Sequence, residues 1–473
     1  MLFNSRTFLL FFAAVYPVHL ALRRNRRAQN VALLLASLVF YGFWDWRFLG
    51  LLAASSGIDF FTAQKIHDSP APKRRKAFLV LSLVSNLSIL GFFKYFNFFA
   101  ESTAALLRTV GLHATAPTLS ILLPVGISFY TFQAMSYCID VYRGELEPTR
   151  SPLDYALFIA FFPHLVAGPI QRPRVLLPQM ANERKVTWDQ VNAGLFLIVW
   201  GFVKKVLIGD NMAGLANPIF DHFRDHRGLD VILGALAFTL QIYADFSGYS
   251  DIARGLSKLL GFELLVNFRL PYFALNPTDF WQRWHVSLSS WLRDYLYIPL
   301  GGSRGSSKAT YRNLVLTMLL GGLWHGAAWN FVLWGTYHGA LLVLYRLLDR
   351  NPEHLEPWSG KFSRGRVLAK MALMFALTVV GWVFFRSRSA GQAVEMFSRM
   401  GFGVSEGTRD LAGTIGFFAS PLLAMELWQY RTGDLLVLTR ARPWVLGLAY
   451  GAMLTALLIF GVRDSVEFIY FQF

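Results

Sequence analysis

NLVLTMLLGGLWHGAAWNFVLWGTYHGALLVLY, residues 313–345, contains no Asp, Glu, Lys or Arg. As one helix it would run about 50 Å at 1.5 Å per residue, well beyond a hydrocarbon core of about 30 Å. It must therefore be interrupted, and Gly321-Gly322 and Gly326 are the natural places. Counting inward from Arg312, His325 falls about 13 residues along, close to mid-membrane for a 30 Å core. A titratable imidazole beside a helix break at that depth is expensive unless it faces a cavity or a partner. Two readings of His325 stay open here: a functional group in a cavity, or a histidine hydrogen-bonded across two packed helices. His338 turns to a different face, between Tyr337 and Gly339, which favours a packing role.

The rest of the chain agrees with a membrane setting. Of 473 residues, 54% are apolar and 16% charged, against a usual charged share of about 25% in soluble domains. So few charges do not cover the surfaces of two or three soluble domains. An ordinary cytosolic enzyme, a disordered chain and a fibrous repeat are excluded. The expected fold class is an all-α polytopic membrane protein. Lys and Arg number 45 against 29 Asp and Glu, a net charge of +16. These cations sit in short clusters between apolar runs, where they set orientation and meet anionic lipid headgroups. No zinc-knuckle spacing or aromatic–basic platform points to nucleic acid. Cys138, the only cysteine, excludes a disulfide framework and a two-thiol redox pair, and reads as a small hydrophobe.

Apolar runs at 7–22, 31–41, 48–63, 77–99, 119–141, 155–170, 191–208, 231–246, 314–323, 327–348, 367–385, 411–427 and 445–462 give about eleven crossings plus shorter half-membrane or surface pieces. The first is not a signal peptide, because its basic cluster (Arg23, Arg24, Arg26, Arg27) follows the apolar stretch. A second cluster, Lys65 and 73–76, arrives after a helical hairpin. Both clusters belong on the cytoplasmic side, so the N-terminus is expected outside. Pro124 and Gly126 are expected to bend 119–141. The longest polar gaps, 171–189, 210–230 and 349–366, fall short of the roughly 50 residues of a small domain. The whole chain, 1–473, reads as a single integral-membrane domain.

Residues 276–297 predict an amphipathic helix. Asn276 caps it, Pro277 fits the first turn and Asp279 sits at the third helical position. At 100° per residue Trp281, Trp284, His285, Leu288, Trp291, Leu292 and Tyr295 share one face, while Arg283, Ser287, Ser290 and Asp294 fill the other. His285 thus lies in an aromatic face, where a polar group without a partner is costly. Asp245 and Asp251 flank FSGYS at the end of an apolar run and read as a helix-breaking turn with capping aspartates. Walker, dinucleotide-binding, nucleophile-elbow and zinc-protease motifs are missing, so no metal site is expected.

FWQRWHVSLS (280–289), running on into WLRDYLYIPLGG (291–302), and LTMLLGGLWHG (316–326) closely resemble the membrane-bound O-acyltransferase (MBOAT) family, in its bacterial branch that acetylates exported polysaccharides of the alginate type. LPVGISFY (123–130), AGPI (167–170), DFSGYSD (245–251) and WVFFR (382–386) support the likeness. The resemblance implies a ring of tilted helices, with re-entrant or interfacial pieces, around a central funnel or tunnel. It makes His325 the catalytic histidine and His285 the second family position, with Trp324, Asn330, Asp294 and Arg283 as supports on motif position. It implies no bound cofactor and a cytoplasmic thioester donor, acetyl-CoA or an acyl-carrier thioester. It also implies an inner-membrane location, an exported polysaccharide as final acceptor and a serine hydrolase-like periplasmic partner that passes the acetyl group on. The alternatives are a D-alanyl transferase of teichoic acids and a non-enzymatic transporter of lipid-linked sugar or protons.

Overall fold

The computed structural model describes residues 1–348, 364–462 and 468–469. Most of the polar gap at 349–366 lies outside them. Among the described residues helices carry the regular structure and no strand forms. Among the described residues seven helices are long and apolar enough to cross a membrane: Pro72–Thr109, Trp188–Asp221, Leu229–Leu259, Trp329–Leu348, Arg364–Arg386, Thr408–Thr432 and Pro443–Phe460. The fold class is all-α and polytopic. Of the other expected runs, 31–41 and 48–63 lie in the continuous helices Arg26–Asp45 and Arg47–Asp68, the first forms the 16-residue helix Arg6–Ala21, and 155–170 breaks at Phe161 between Pro152–Ala160 and Phe162–Leu165.

Two compact units emerge, one from Met1–Leu195 with Ala253–Leu265, the other from Phe196–Ile252 with Val266 onward. In the first, the helices start where the sequence offers caps: Ser5 accepts from the Phe8 N–H, Asn25 from Ala28 and Ser151 from Asp154. The bend expected at Pro124 and Gly126 is a start instead. Residues up to Gly126 are non-helical, and Ile127–Arg143 begins at Gly126, whose φ is 77°. A side chain there would strike the Leu165 carbonyl, so only glycine fits. Cys138 is buried against Thr62 and Asp59.

In the second unit, which takes up the helix Trp188–Phe202 from Phe196, the chain passes through a π-helical stretch, Val203–Gly209, into Asp210–Asp221. The extra residue per turn brings consecutive lysines onto the neighbouring helix Leu229–Leu259, where Lys204 meets Asp251 (2.6 Å) and Lys205 meets Asp245 (2.8 Å). Gly201 and Gly248 let the two backbones close in: a Cβ on either would sit 2.7 Å from the other's carbonyl oxygen. This corrects the reading of 245–251. The segment is the interior of one long helix, and its aspartates are ion-pair partners, not caps, because Lys204 and Lys205 supply charges that sequence neighbours do not.

The 313–345 stretch breaks once. One helix, Ser307–His325, ends at Gly326 in extended conformation (φ −160°, ψ 151°), and Trp329–Leu348 returns. Gly321-Gly322 does not interrupt the helix, contrary to expectation. Gly322 and Gly335 are contact points of the hairpin: a Cβ on Gly322 would strike the Phe331 carbonyl oxygen, and one on Gly335 the Met318 carbonyl oxygen. Small residues at such crossings let helices approach without a hydrophobic drive.

Candidate active site

The predicted helix at 276–297 is two helices. Pro277–Arg283 opens as expected, with Asn276 accepting from the Asp279 N–H (2.8 Å) and Asp279 accepting from Leu275 (2.9 Å). It stops at Trp284, which is extended. His285 then adopts φ 43°, ψ 52°, one of two non-glycine residues with positive φ among the described residues, and caps Val286–Leu292. A left-handed L-residue costs roughly 1–2 kcal/mol, so surrounding contacts must hold it. The neighbouring segment does so: Val286 N–H donates to the Asn267 carbonyl (2.8 Å) and Arg269 N–H to the Arg283 carbonyl (2.9 Å). Periodicity could not reveal this, since no Gly or Pro marks the break.

Asn267 also fixes the imidazole. Its Oδ1 lies 3.1 Å from His285 Nδ1 and accepts from Ser287 Oγ (2.8 Å) and the Ser287 backbone N–H (3.3 Å). Because a backbone N–H can only donate, the atom facing it is the amide oxygen. The proton of neutral His285 therefore sits on Nδ1, an assignment from the network, and Nε2 becomes the acceptor. The ring is buried, edge-on to Phe246 at 4.7 Å.

His325 is the last residue of its helix and also buried. Its ring sits between Trp324 (5.1 Å), Trp334 (5.0 Å) and Phe385 (5.4 Å), all near perpendicular. A Cβ on Gly326 would collide with the Phe331 ring, which makes glycine obligatory after the histidine. The two imidazoles face each other with centroids 6.3 Å apart, and Trp324 contacts both.

His325 lines a cavity of about 440 Å³, and Arg269, Gln282 and Arg293 line the same cavity from exposed positions. His285 is not among its lining residues. The other expected supports stand further out. Asn330 donates to the Phe385 carbonyl (3.1 Å) and so holds a ring that packs on His325. Arg283 pairs with Asp279 (2.6 Å) beside the His285 break. Asp294 pairs with Arg293 (2.8 Å) in the π-turn Arg293–Tyr297. His338 sits behind this wall, in ring contact with Phe280, Trp281, Trp334 and Tyr337. Asn267, Trp334 and Phe385 belong to the site and escaped sequence reasoning. Asn267, a lone amide in an otherwise apolar LLVNF, was the one legible hint.

All-α, with seven candidate spans and two buried imidazoles at helix breaks, the chain falls in the class of polytopic membrane proteins that carry acid–base groups within the helices. A family model described as MBOAT, membrane-bound O-acyltransferase family, matches residues 146–358. The chain is 44% identical over 403 residues to a probable alginate O-acetylase AlgI of Azotobacter vinelandii, covering 85% of this chain and 78% of that protein. It is 36% identical over 430 residues to a peptidoglycan O-acetyltransferase of Helicobacter pylori, covering 85% and 80%. Likeness to a teichoic acid D-alanyltransferase of Bacillus subtilis is lower, 28% over 282 residues, covering 56% and 69%. The chain belongs to the membrane-bound O-acyltransferase family, and it is an O-acyltransferase.

Proposed function

We propose that this enzyme moves an acetyl group from a cytoplasmic thioester to the outer side of the inner membrane, for O-acetylation of an exported polysaccharide. The observation that carries the reading is the cavity that buried His325 shares with exposed Arg269 and Arg293. Those cations suit the phosphates of acetyl-CoA or of a phosphopantetheine-bearing carrier thioester. The names of the two more similar relatives, an alginate and a peptidoglycan O-acetyltransferase, support a bacterial glycan as acceptor. Both compact units act together as one acyltransferase domain.

In this reading His325, as the neutral imidazole, takes the proton of an acceptor hydroxyl as that oxygen attacks the thioester carbonyl. When the tetrahedral intermediate collapses, the C–S bond breaks and the thiolate leaves with the proton held by His325. Such general base catalysis typically contributes about 10²–10⁴-fold. His285, with Nε2 as acceptor, supports this step from beside the cavity, its ring centroid 6.3 Å from that of His325. Trp324, in ring contact with both imidazoles, supports their placement; Asn330, Arg283 and Asp294 hold Phe385, the His285 break and Arg293. His325→Ala is expected to bring polymer acetyl ester to background with the protein still inserted in the membrane, and His285→Ala to impair it. Ester content near wild type in His325→Ala sinks the assignment.

The N-terminus lies in the periplasm and the two basic loops in the cytoplasm. Supporting this, Arg26 pairs with Asp154 (3.1 Å) and Arg75 donates to the Tyr142 carbonyl (2.9 Å), so both clusters reach the same segment, 142–154. Single cysteines at Ser5 and Ser69 in a Cys138→Ala background test it. Impermeant thiol labelling of the second and not the first, in cells with a permeabilised outer membrane, reverses the orientation. The acetyl group passes to a serine hydrolase-like periplasmic protein docked on the outer loops 44–47 and 101–119, because among the described residues no loop is large enough to hold a glycan-binding module. Liposomes with acetyl-CoA inside and polymer outside should stay unacetylated without that second protein.

A further inference from the structure

A neutral His285 whose Nε2 accepts cannot also donate to a carbonyl oxygen that gains negative charge. The reaction proposed above therefore needs a donor elsewhere. Of the residues that line the His325 cavity, two bury a side-chain N–H without an acceptor among the described residues: Nε1 of Trp281 and Nε1 of Trp334. An indole nitrogen can only donate, and buried polar groups are rarely left unpaired. The two rings come from different helices, Pro277–Arg283 and Trp329–Leu348, and meet edge-on at 5.7 Å. Trp334 stands 5.0 Å from the His325 ring at 84°. Both also abut His338, which holds them by ring contact (5.2 and 4.8 Å).

We propose that the indole N–H groups of Trp281 and Trp334 form the oxyanion hole of this enzyme. As the hydroxyl oxygen bonds to the thioester carbon, the carbonyl π electrons move onto its oxygen, and the two N–H groups receive that charge by hydrogen bonds. The same electrons re-form the carbonyl when the C–S bond breaks. The indoles lose no proton, so the balance of the step is unchanged. Buried, preorganised donors act most strongly where water is excluded, and both indole nitrogens are themselves buried.

The inference rests on His325 as the base, and the test separates the two. Membrane vesicles from polymer-producing cells, with their partner proteins retained, are assayed with radiolabelled acetyl-CoA for ester formed and thiol released. Trp334→Phe and Trp281→Phe should each lower kcat at least about 10-fold, in line with the loss of one oxyanion donor, with the KM for acetyl-CoA within about 2-fold. A 3-benzothienylalanine in place of Trp334 keeps the bicyclic shape and replaces N–H by sulfur; it should reproduce the kcat loss with thermal stability unchanged. Wild-type kcat in that isostere, or a rise in KM alone, overturns the oxyanion hole. Retained turnover in His325→Ala sinks the base assignment instead.

Discussion

The chain contains two Trp-His pairs, Trp284-His285 and Trp324-His325, and both histidines stand at a helix break. The breaks are made in opposite ways. After His325 the chain turns through Gly326, whose missing side chain leaves room for Phe331. At His285 there is no glycine; the histidine itself takes the left-handed conformation, and Asn267 with the paired backbone around it holds the strain. One break is written locally, the other is imposed by a segment 18 residues upstream. The difference also sorts the imidazoles: His285 has a fixed tautomer, while His325 is framed by rings and opens on the cavity.

The largest effect is expected at Gly326. Gly326→Ala forces the Phe331 ring to move, and overpacking of this kind costs about 1–3 kcal/mol. A displacement of about 1 Å at His325 costs about 10² in rate. Acetyl ester content should therefore fall about 100-fold or more, with a lowered melting temperature in detergent. Activity near wild type would show that the glycine is not what positions His325.

Asn267→Leu is the matching attack on the other break. It leaves the buried donors of His285 and Ser287 unpaired, at about 1–3 kcal/mol each, and frees the tautomer. Acetylation should drop about 10- to 100-fold, and Asn267→Asp should restore part of it because a carboxylate still accepts. Equal loss in both variants would mean that Asn267 matters for shape only.

A sharper probe of the strain compares His285→Gly with His285→Ala. Both lose the imidazole, but glycine accepts φ 43° without penalty. The glycine variant should be about 1 kcal/mol more stable than the alanine variant, read from denaturation midpoints. Identical midpoints would show that the backbone relaxes once the histidine is gone.

The smallest effect is expected at Gly321. A Cβ there meets only the end of the Leu292 side chain, at 3.0 Å, whereas at Gly322 it meets the Phe331 carbonyl. Gly321→Ala should keep activity within about 3-fold, as a flexible side chain moves aside and helix propensity improves by about 0.5–1 kcal/mol. Gly322→Ala should split the hairpin and lose most of the protein from the membrane. Similar behaviour of the two would return the glycine pair to the role of a helix break.

Much of this was legible in residue order. The absence of charge over 313–345 demanded an interruption, and Gly326, with no side chain to meet the Phe331 ring, made one there. Asn276, Pro277 and Asp279 specified a helix start that formed as read, since capping is decided within four residues. The family motifs located both histidines. Periodicity failed at 284–285 because it counts faces and is blind to a backbone held by a distant amide. It failed at 245–251 because paired aspartates and a glycine look like a turn until Lys204 and Lys205 arrive from another helix.

By itself, then, the sequence determined the solvent, the helical class and the two imidazoles, because these follow from composition, from local capping and from residues whose types are rare at such depth. Only the tertiary structure decided which break is strained, which nitrogen of His285 carries the proton, and that two residues lining the cavity of His325, Trp281 and Trp334, bury N–H groups without a partner among the described residues. Those properties depend on side chains far apart in the chain meeting at hydrogen-bond range, and no local pattern encodes such a meeting.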